Sequence, residues 1–433
     1  MTSSVPPQLA DACAEIRPAG ERDQAGWPKA QFTAEPAGTA EAAALLRAAA
    51  GLGLSVGPRG AGHRLEWGGG PGSCDLIVGT ARLDRILEHA AGDLVVSVQA
   101  GVSLGALQDR LAAEGQRLAL DPPGGATIGG LIASGVAGPL RFRYGAPRDL
   151  LIGITVIRAD GATARAGGKV VKNVAGYDLG KLYAGSYGTL GLITEATFRL
   201  HPRPAASAFV TVECQHAQDA AAAVHAAASS PLAPSAIELH WPSATAPLTV
   251  AVLLEGDETG VGERTARLGE LLPGSATLAG PAPAAVTPAD TTPAGSGPSW
   301  WGDAGDAGQT VLRAAFWPGE LGPALTAIRT AAASTGLDPA VAGSAAAGLL
   351  HVTLDGPVPG SVVQEFLGQL RASLAGAAQP TPSGSVIVLH APPGVRDATD
   401  AWGPLPAAGL MRAIKDQFDP ERRMAPGRLA GVL

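Results

Sequence analysis

The sequence predicts an α+β fold built in two blocks, with two α/β lobes over about residues 30–204 and two βαβ-type halves over 205–400. Residues 1–29 precede the first block as an N-terminal extension, and 401–433 follow the second as a C-terminal tail. Three observations predict this. Short β-branched runs alternate with Ala- and Leu-patterned helical stretches up to residue 202, the composition shifts at Pro202–Pro204, and the remainder reads as two similar passages separated by a Pro-rich stretch.

Taken in order, Thr39 to Gly53 forms one helix, with Thr39 as its cap, Glu41 in its first turn, Leu45 and Leu46 on its buried face and Gly51 as its stop. Leu54–Val56 and Asp75–Val78 are short buried strands flanking a glycine loop, and Leu94–Gln99 is a β-branched strand. Ser103 caps a helix that places Leu104, Leu107 and Leu111 on one face before Gly115 ends it. Asp149–Arg158 and Ala162–Arg165 flank the Ala159-Asp160-Gly161 turn of a hairpin, and Leu190–Leu200 is a further strand. In the second block, one passage has strands at 208–212, 236–239 and 248–254 and helices after the first strand and near 260–272. The other has strands at 310–316, 349–354 and 385–389 and helices near 320–335 and 360–374. Between them, residues 273–298 hold six prolines among Ala, Thr, Gly and Ser, too little apolar surface to offset the entropy of ordering, so a linker is expected there. Trp300-Trp301, directly after it, is expected to anchor the chain to a core.

Composition excludes several function classes. With 433 residues, 46% hydrophobic, 16% charged and a net charge of −7, the chain is globular and carries no basic stripe for a nucleic acid. The N-terminus has no basic region followed by an apolar run, and no stretch approaches about 18 apolar residues, so the expectation is a cytoplasmic protein with no transmembrane segment, at most peripheral to a membrane. Cys13, Cys74 and Cys214 are isolated, which argues against a disulfide framework, an iron–sulfur site and a thiolate zinc site. A metal held by His or carboxylates is not excluded by this count.

Three segments carry chemistry. Gly57-Pro58-Arg59-Gly60-Ala61-Gly62-His63 lies between two strands, where glycines let backbone N–H groups approach a phosphate; a plain glycine turn is the alternative. It lacks the G-x-G-x-x-G that opens a Rossmann helix, which disfavours a nicotinamide enzyme. In Pro122-Pro123-Gly124-Gly125-Ala126-Thr127-Ile128-Gly129-Gly130-Leu131-Ile132-Ala133-Ser134-Gly135, Thr127 caps a short helix whose N-terminus suits an anionic diphosphate. The small side chains there admit a flat ring, or a tightly packed neighbouring backbone. The third segment runs from Lys169 through Lys172-Asn173-Val174-Ala175-Gly176-Tyr177-Asp178-Leu179 to Gly185-Ser186-Tyr187-Gly188-Thr189-Leu190-Gly191-Leu192-Ile193-Thr194-Glu195.

In this order the three segments resemble the vanillyl-alcohol oxidase and p-cresol methylhydroxylase (PCMH-type) family of FAD-binding proteins over about residues 30–202. KNVAGYDL at 172–179, GSYGTLGLITEA at 185–196 and FDPERRMAPGR at 418–428 are most similar to its FAD-binding subunits of bacterial glycolate oxidases. The resemblance implies FAD as cofactor, with the diphosphate held by Pro58, Arg59, Gly60, Ala61, Gly62 and His63. It implies that Pro123, Gly124, Ala126, Thr127, Gly129, Gly130, Ala133, Ser134 and Gly135 line the diphosphate and flavin. Gly188, Gly191, Ile193 and Thr194 would contact the cofactor through backbone groups. A cap over the isoalloxazine ring at 205–400 and a tail closing against the FAD domain near Arg428 are also implied. His63 stands where many relatives carry Thr and where some attach FAD covalently through His; covalent attachment, a noncovalent contact and a structural role are its three readings.

The second block departs from the family pattern, because the two His around a Gly-x-Gly-Asn core that supply metal and base in related hydroxy-acid dehydrogenases are missing. His351 and His390, both in strand-like runs, are the candidate bases for a 2-hydroxy acid, with a satisfied structural His as the alternative for each. Arg313 is the candidate carboxylate clamp, or else a surface ion-pair partner. The resemblance implies oxidation of a small 2-hydroxy acid of the glycolate or lactate type. Electrons would leave to a second flavoprotein subunit, an iron–sulfur subunit or a membrane carrier. A noncatalytic FAD-binding electron-transfer or assembly subunit and an independent alcohol or sugar oxidase are the alternatives.

Overall fold

The computed structural model describes residues 4–24, 26–67, 72–168, 178–272, 277–283, 297–302, 305, 308–376 and 384–429. The first lobe is a four-stranded sheet of β1 (Ile16–Pro18), β2 (Phe32–Ala34), β3 (Val56–Arg59) and β4 (Leu76–Gly79), in the order β1-β2-β4-β3. β2, β4 and β3 are mutually parallel and β1 is antiparallel to β2. The helix Thr39–Gly51 lays Ala42, Leu45, Leu46 and Ala49, spaced at i, i+3, i+4 and i+7, onto this sheet. Its cap differs from expectation: Gly38 occupies that position and the Thr39 hydroxyl instead donates to Glu195 Oε1 at 2.8 Å, tying the first lobe to the second. The strands β1 and β2 and the helix Pro7–Ala12, which buries Leu9, were not read from the sequence.

The second lobe follows with β5 (Ile86–Ala90), β6 (Val95–Gln99), a short β7 (Gln116–Arg117), β8 (Leu151–Ile157), β9 (Thr163–Gly167), β10 (Leu192–Arg199) and a short β11 (His201–Pro202) paired with β7. Five of these form an antiparallel sheet in the order β5-β6-β10-β8-β9. Ser103 caps the helix Leu104–Ala112 as expected, accepting from Ala106 N at 3.2 Å. The β8–β9 hairpin turns through Gly161, whose φ of +78° a Cβ-bearing residue would resist.

The second block is one eight-stranded sheet of β12 (Ala206–Cys214), β13 (Ala236–Trp241), β14 (Leu248–Gly256), β15 (Thr277–Pro283), β16 (Thr310–Phe316), β17 (Ala340–Gly343), β18 (Leu349–Leu354) and β19 (Gly384–His390). Its order, β15-β12-β14-β13-β17-β18-β16-β19, is two mirrored copies of one motif. β12 and β13 run parallel across the helix Ala217–Ser229, but β14 is inserted between them, antiparallel to both. β16 and β17 repeat this around β18. The βαβ-type halves are therefore split βαβ units, joined edge to edge by β13 and β17. Two strands depart from the sequence reading. β17 was not expected, and β15 lies inside the span read as a linker, where Thr277–Pro283 pairs with β12. The rest of that span, 273–276 and 284–296, lies outside the described residues.

Side-chain alternation gives the sheet two faces. Leu312, Ala314, Leu350 and Val352 point into the main core with the helices Ala217–Ser229, Leu321–Thr335 and Gly360–Leu374. Arg313, His351 and Glu238 therefore lie on the opposite face, which packs against the first block, the block of the two lobes, through Leu140 and the turn Arg141–Tyr144. Trp301 is buried there against Phe209, and Trp300 stacks on His240, so the Trp pair does anchor the chain.

Candidate cofactor cleft and catalytic face

Between the two lobes lies an open cleft of about 760 Å³, the solvent at its mouth included. Three local structures build it. The chain leaves β3 into the loop 59–65, the helix Ile128–Ser134 begins with Thr127 accepting from Gly130 N at 3.3 Å, and the turn 187–191 leads into β10. A Cβ on Gly60 would run into the Thr127 hydroxyl, so glycine is what lets loop and helix start meet. Gly188 sits at φ +78° against Pro58 and turns the chain over the cleft mouth.

Pro58, Arg59, Gly60, Ala61, Gly62, His63, Ala126, Thr127, Gly129, Gly130, Ala133, Ser134, Gly188, Gly191 and Ile193 all line this cleft. Four other expected residues stand behind it. The Pro123 carbonyl accepts from Arg64, Gly124 neighbours the lining Gly125, Gly135 ends the helix at φ +66°, and Thr194 is fully buried with its hydroxyl donating to Thr155 O. The segment 172–177, which carries much of the KNVAGYDL motif, lies outside the described residues.

The charge of the cleft comes from residues that the motif reading passed over or only touched. Arg59 is neutralised by Asp23 at 3.2 Å, and the hydrogen bonds from Arg17 hold that carboxyl down at about 2. Arg64 and Arg428 also line the cleft, and neither has a carboxylate partner among the described residues. Arg64 donates to Gly125 O and Pro123 O. Arg428 donates to Trp67 O at 2.8 Å and lies 5.8 Å over the Trp27 ring and 5.7 Å over Tyr187. Burial lowers Arg428 to about 10, and the Nε atoms of both arginines have no hydrogen-bond partner among the described residues. A cleft with a glycine-cleared floor, a helix start and two guanidiniums without a carboxylate partner among the described residues, Arg428 buried and Arg64 half-buried, is short of negative charge, and a dinucleotide with a diphosphate fits that need.

His63 is exposed at the cleft, and its Nδ1 donates to Gly125 O at 2.7 Å, which leaves Nε2 with the lone pair. A buried tie stands behind the cleft. Lys415 Nζ donates to Thr189 O at 2.7 Å, to Asp419 Oδ2 at 2.7 Å and to Met424 O at 3.0 Å. Val56 N donates to Arg423 O and Ala425 N to Val56 O, so the tail grips both the 187–191 turn and β3.

On the sheet face, register aligns one row of side chains across five strands. His240 pairs with Ala342, Ala342 with His351, His351 with Arg313, and Arg313 with Ile387. Arg313 makes no side-chain hydrogen bond or ion pair among the described residues, and His351 Nδ1 is buried without a partner among them. Burial, then the Arg313 and Arg141 guanidiniums, push the His351 imidazole down to about 3, so it is neutral at physiological pH and a weak base as it stands. His390 is differently placed. Its Nδ1 donates to Gln309 O at 2.9 Å and its Nε2 faces Glu66 Oε2 at 3.1 Å, so both nitrogens are engaged in joining β19 to the loop after His63. No grouping of three or more His, Cys, Asp or Glu able to hold a metal occurs among the described residues.

Residues 30–167 match the FAD binding domain family. The chain is 42% identical over 125 residues to glycolate oxidase subunit GlcE of Escherichia coli (strain K12), covering 28% of this chain and 36% of that protein. It is 36% identical over 171 residues to glycolate oxidase subunit GlcD of Bacillus subtilis (strain 168), covering 39% and 36%, and 35% identical over 157 residues to D-lactate dehydrogenase [cytochrome] 1 of Saccharomyces cerevisiae (strain ATCC 204508 / S288c), covering 36% and 27%. The chain thus spans about a quarter to a third of the length of these relatives. Among solved structures, alkyldihydroxyacetonephosphate synthase superposes with a TM-score of 0.70 at 15% identity over 98% of this chain and 85% of that one. Chitooligosaccharide oxidase does so with a TM-score of 0.67 at 16% identity over 98% of both chains. The FAD-domain match falls on the lobes that form the cleft, and the likeness in fold runs on through the eight-stranded sheet, so the chain carries an FAD binding domain at residues 30–167 within a fold similar to those of alkyldihydroxyacetonephosphate synthase and chitooligosaccharide oxidase.

Proposed function

We propose that this chain oxidises a small 2-hydroxy acid of the glycolate or lactate type and passes the electrons to a partner, a second flavoprotein or iron–sulfur subunit or a membrane carrier. The observation that carries this reading is the Arg313–His351 pair, a guanidinium without a partner among the described residues beside an unprotonated imidazole, on the sheet face turned toward the cofactor block. The reading divides the chain into an FAD domain at 30–204, a cap at 205–400 and a tail at 401–433. FAD would lie in the cleft, with its diphosphate on the loop 58–63 and the helix start at Thr127. There it supplies the acceptor, N5 of the flavin, for the hydride of the substrate's C–H bond. Arg313 would hold the substrate carboxylate with its planar fork, and His351 would take the hydroxyl proton on Nδ1. The likeness to glycolate oxidase subunits and a D-lactate dehydrogenase supports the substrate class.

A second reading, a noncatalytic FAD-binding electron-transfer or assembly subunit, is favoured by one observation. His351 is a weak base while two guanidiniums stand beside it, and both nitrogens of His390 are engaged. An anaerobic titration of the FAD-loaded chain with glycolate and D-lactate, followed by its visible spectrum, separates the two. Bleaching of the flavin band is the expected result. A band that stays unbleached with both acids would support the partner subunit instead, and rapid oxygen consumption with sugars would point to an independent oxidase.

A further inference from the structure

His390 stands where three parts of the chain meet. It ends β19, an edge strand of the eight-stranded sheet; its Nδ1 lies 2.9 Å from the Gln309 carbonyl just before β16, and its Nε2 lies 3.1 Å from Glu66 Oε2 on the turn after the glycine loop. Both oxygens accept and neither donates, one being a backbone carbonyl and the other a carboxylate half exposed to water. A neutral imidazole has a single N–H, so it makes one of the two bonds and turns a lone pair on the other oxygen. Only the imidazolium donates both at once, and the contacts of His390 are those of a charged ring. The turn at the far end of this contact carries cleft residues. Inward, His63 donates to Gly125 O, and Arg64 donates to Gly125 O and Pro123 O. Outward, Arg428 of the tail donates to Trp67 O at 2.8 Å, and Trp67 packs against a cluster that includes Ile387 and Leu389 of β19. Among the described residues, the charged groups about His390 are Glu66 on the turn and, from the end of β18, Asp355, which accepts from the Gln309 side chain. Arg64 and Arg428 donate to the carbonyls just named, and the residue opposite His390 in register, Val311, is apolar.

We propose that Glu66 and His390 form a proton-dependent clasp, and that His390 is a positioning residue which, when charged, ties the edge of the sheet to the turn carrying His63 and Arg64. On loss of its proton to solvent, His390 keeps one of its two bonds, and the turn is freed on that side. Histidine is the side chain whose charge changes between about pH 5 and 8, so the grip of the sheet on the wall of the cofactor cleft follows the acidity of the medium. The clasp needs both blocks of the chain and is independent of the substrate.

The test is amide hydrogen exchange of the segment Gly62–Trp67 in the FAD-loaded full chain, read by mass spectrometry at pH 6 and pH 8 for wild type, His390→Gln and Glu66→Gln, each variant compared with wild type at the same pH. At pH 6, His390→Gln is expected to exchange this segment about threefold faster than wild type, the size of an exposed ion pair. At pH 8 that difference should disappear, because wild type has lost the clasp as well. Glu66→Gln should behave differently, since its amide can donate to the lone pair of a neutral ring as well as accept from a charged one: it is expected to match wild type at pH 6 and to exchange more slowly than wild type at pH 8. A misfolded variant would show neither pattern, because its exchange would be faster at both values. Equal exchange of wild type and His390→Gln at pH 6 would overturn the proposal, as would a His390→Gln ratio that stays the same at both pH values.

Discussion

The cofactor cleft depends on single charged residues held where water cannot relieve them. Arg428 is buried, stacked between Trp27 and Tyr187, and has an Nε without a partner among the described residues. Such a group is costly in the empty protein and repaid by an anion, so Arg428→Met should weaken FAD binding by about 1.5–3 kcal/mol, roughly 10- to 150-fold, while leaving the apoprotein no less stable. Recovery of free-flavin fluorescence on dilution measures this, and an unchanged dissociation constant would place Arg428 outside the anion site. His63 was legible as a cleft residue because it directly follows the glycine loop. Arg64, one position later, was passed over because nothing in the chain order shows that its guanidinium folds back onto the carbonyls of Pro123 and Gly125. Acid precipitation of the holoprotein bears on the three readings of His63. Flavin in the pellet that moves to the supernatant in His63→Ala is the mark of covalent attachment through Nε2, and flavin wholly in the supernatant of wild type refutes it.

At the scale of elements, the C-terminal segment supports the cleft from behind. Lys415 reaches from the helix Ala408–Phe418 to Thr189 O, and Asp419 closes the pair while accepting from the N–H groups of Arg423 and Met424. Lys415→Met leaves Asp419 buried without its cation, a loss of about 3–5 kcal/mol, and also frees the 187–191 turn. The expected outcome is a lower thermal midpoint together with weaker FAD binding. A lower midpoint with FAD affinity unchanged would show that the tail stabilises the fold without shaping the cleft. The short helix Ile128–Ser134 was legible in the sequence because Thr127 and Gly135 bracket it with cap chemistry. β17 was not, because Ala340–Gly343 is four small or β-branched residues whose strand character comes from pairing with β13 and β18. β15 was hidden in a Pro- and Ala-rich span for the same reason, since its partner β12 decides its conformation.

Across the whole molecule, the seam between the cofactor block and the eight-stranded sheet is where buried ionisable groups meet. Glu238 is raised to about 8, with desolvation as the main cause, so the folded state holds a proton there that the unfolded chain gives up above about 4.3. The stability this proton confers is complete at acid pH and is lost as pH climbs through 8; Asp121, raised to about 7, acts in the same direction. His351 acts oppositely. Its folded value near 3 lies below the unfolded one, so stability present above about 6.5 is lost as pH falls. Glu238 accepts from the Ser344 hydroxyl; Glu238→Gln keeps that acceptor and cannot ionise, and its thermal midpoint should therefore gain on wild type progressively from pH 5 to pH 8 and hold level above. The gain is bounded at about 1.4 kcal/mol per pH unit over that interval. A constant offset across pH would show that Glu238 does not titrate on unfolding.

Much of the molecule was determined by the sequence itself. Apolar spacing set the helices Thr39–Gly51 and Leu104–Ala112, Gly161 set the β8–β9 turn, and the glycine loop, the Thr127 cap and the 185–196 run marked the cofactor cleft, because each depends on contacts within a few residues. The tertiary structure decided what depends on distant segments meeting. It inserted β14 and β18 into the βαβ units, engaged both nitrogens of His390, and brought Arg141 to the same sheet face as Arg313 and His351. A charge's partner and the water it keeps are set by which surfaces close over it. Which arginine is neutralised and which imidazole is left unprotonated were therefore settled only when the two blocks packed together.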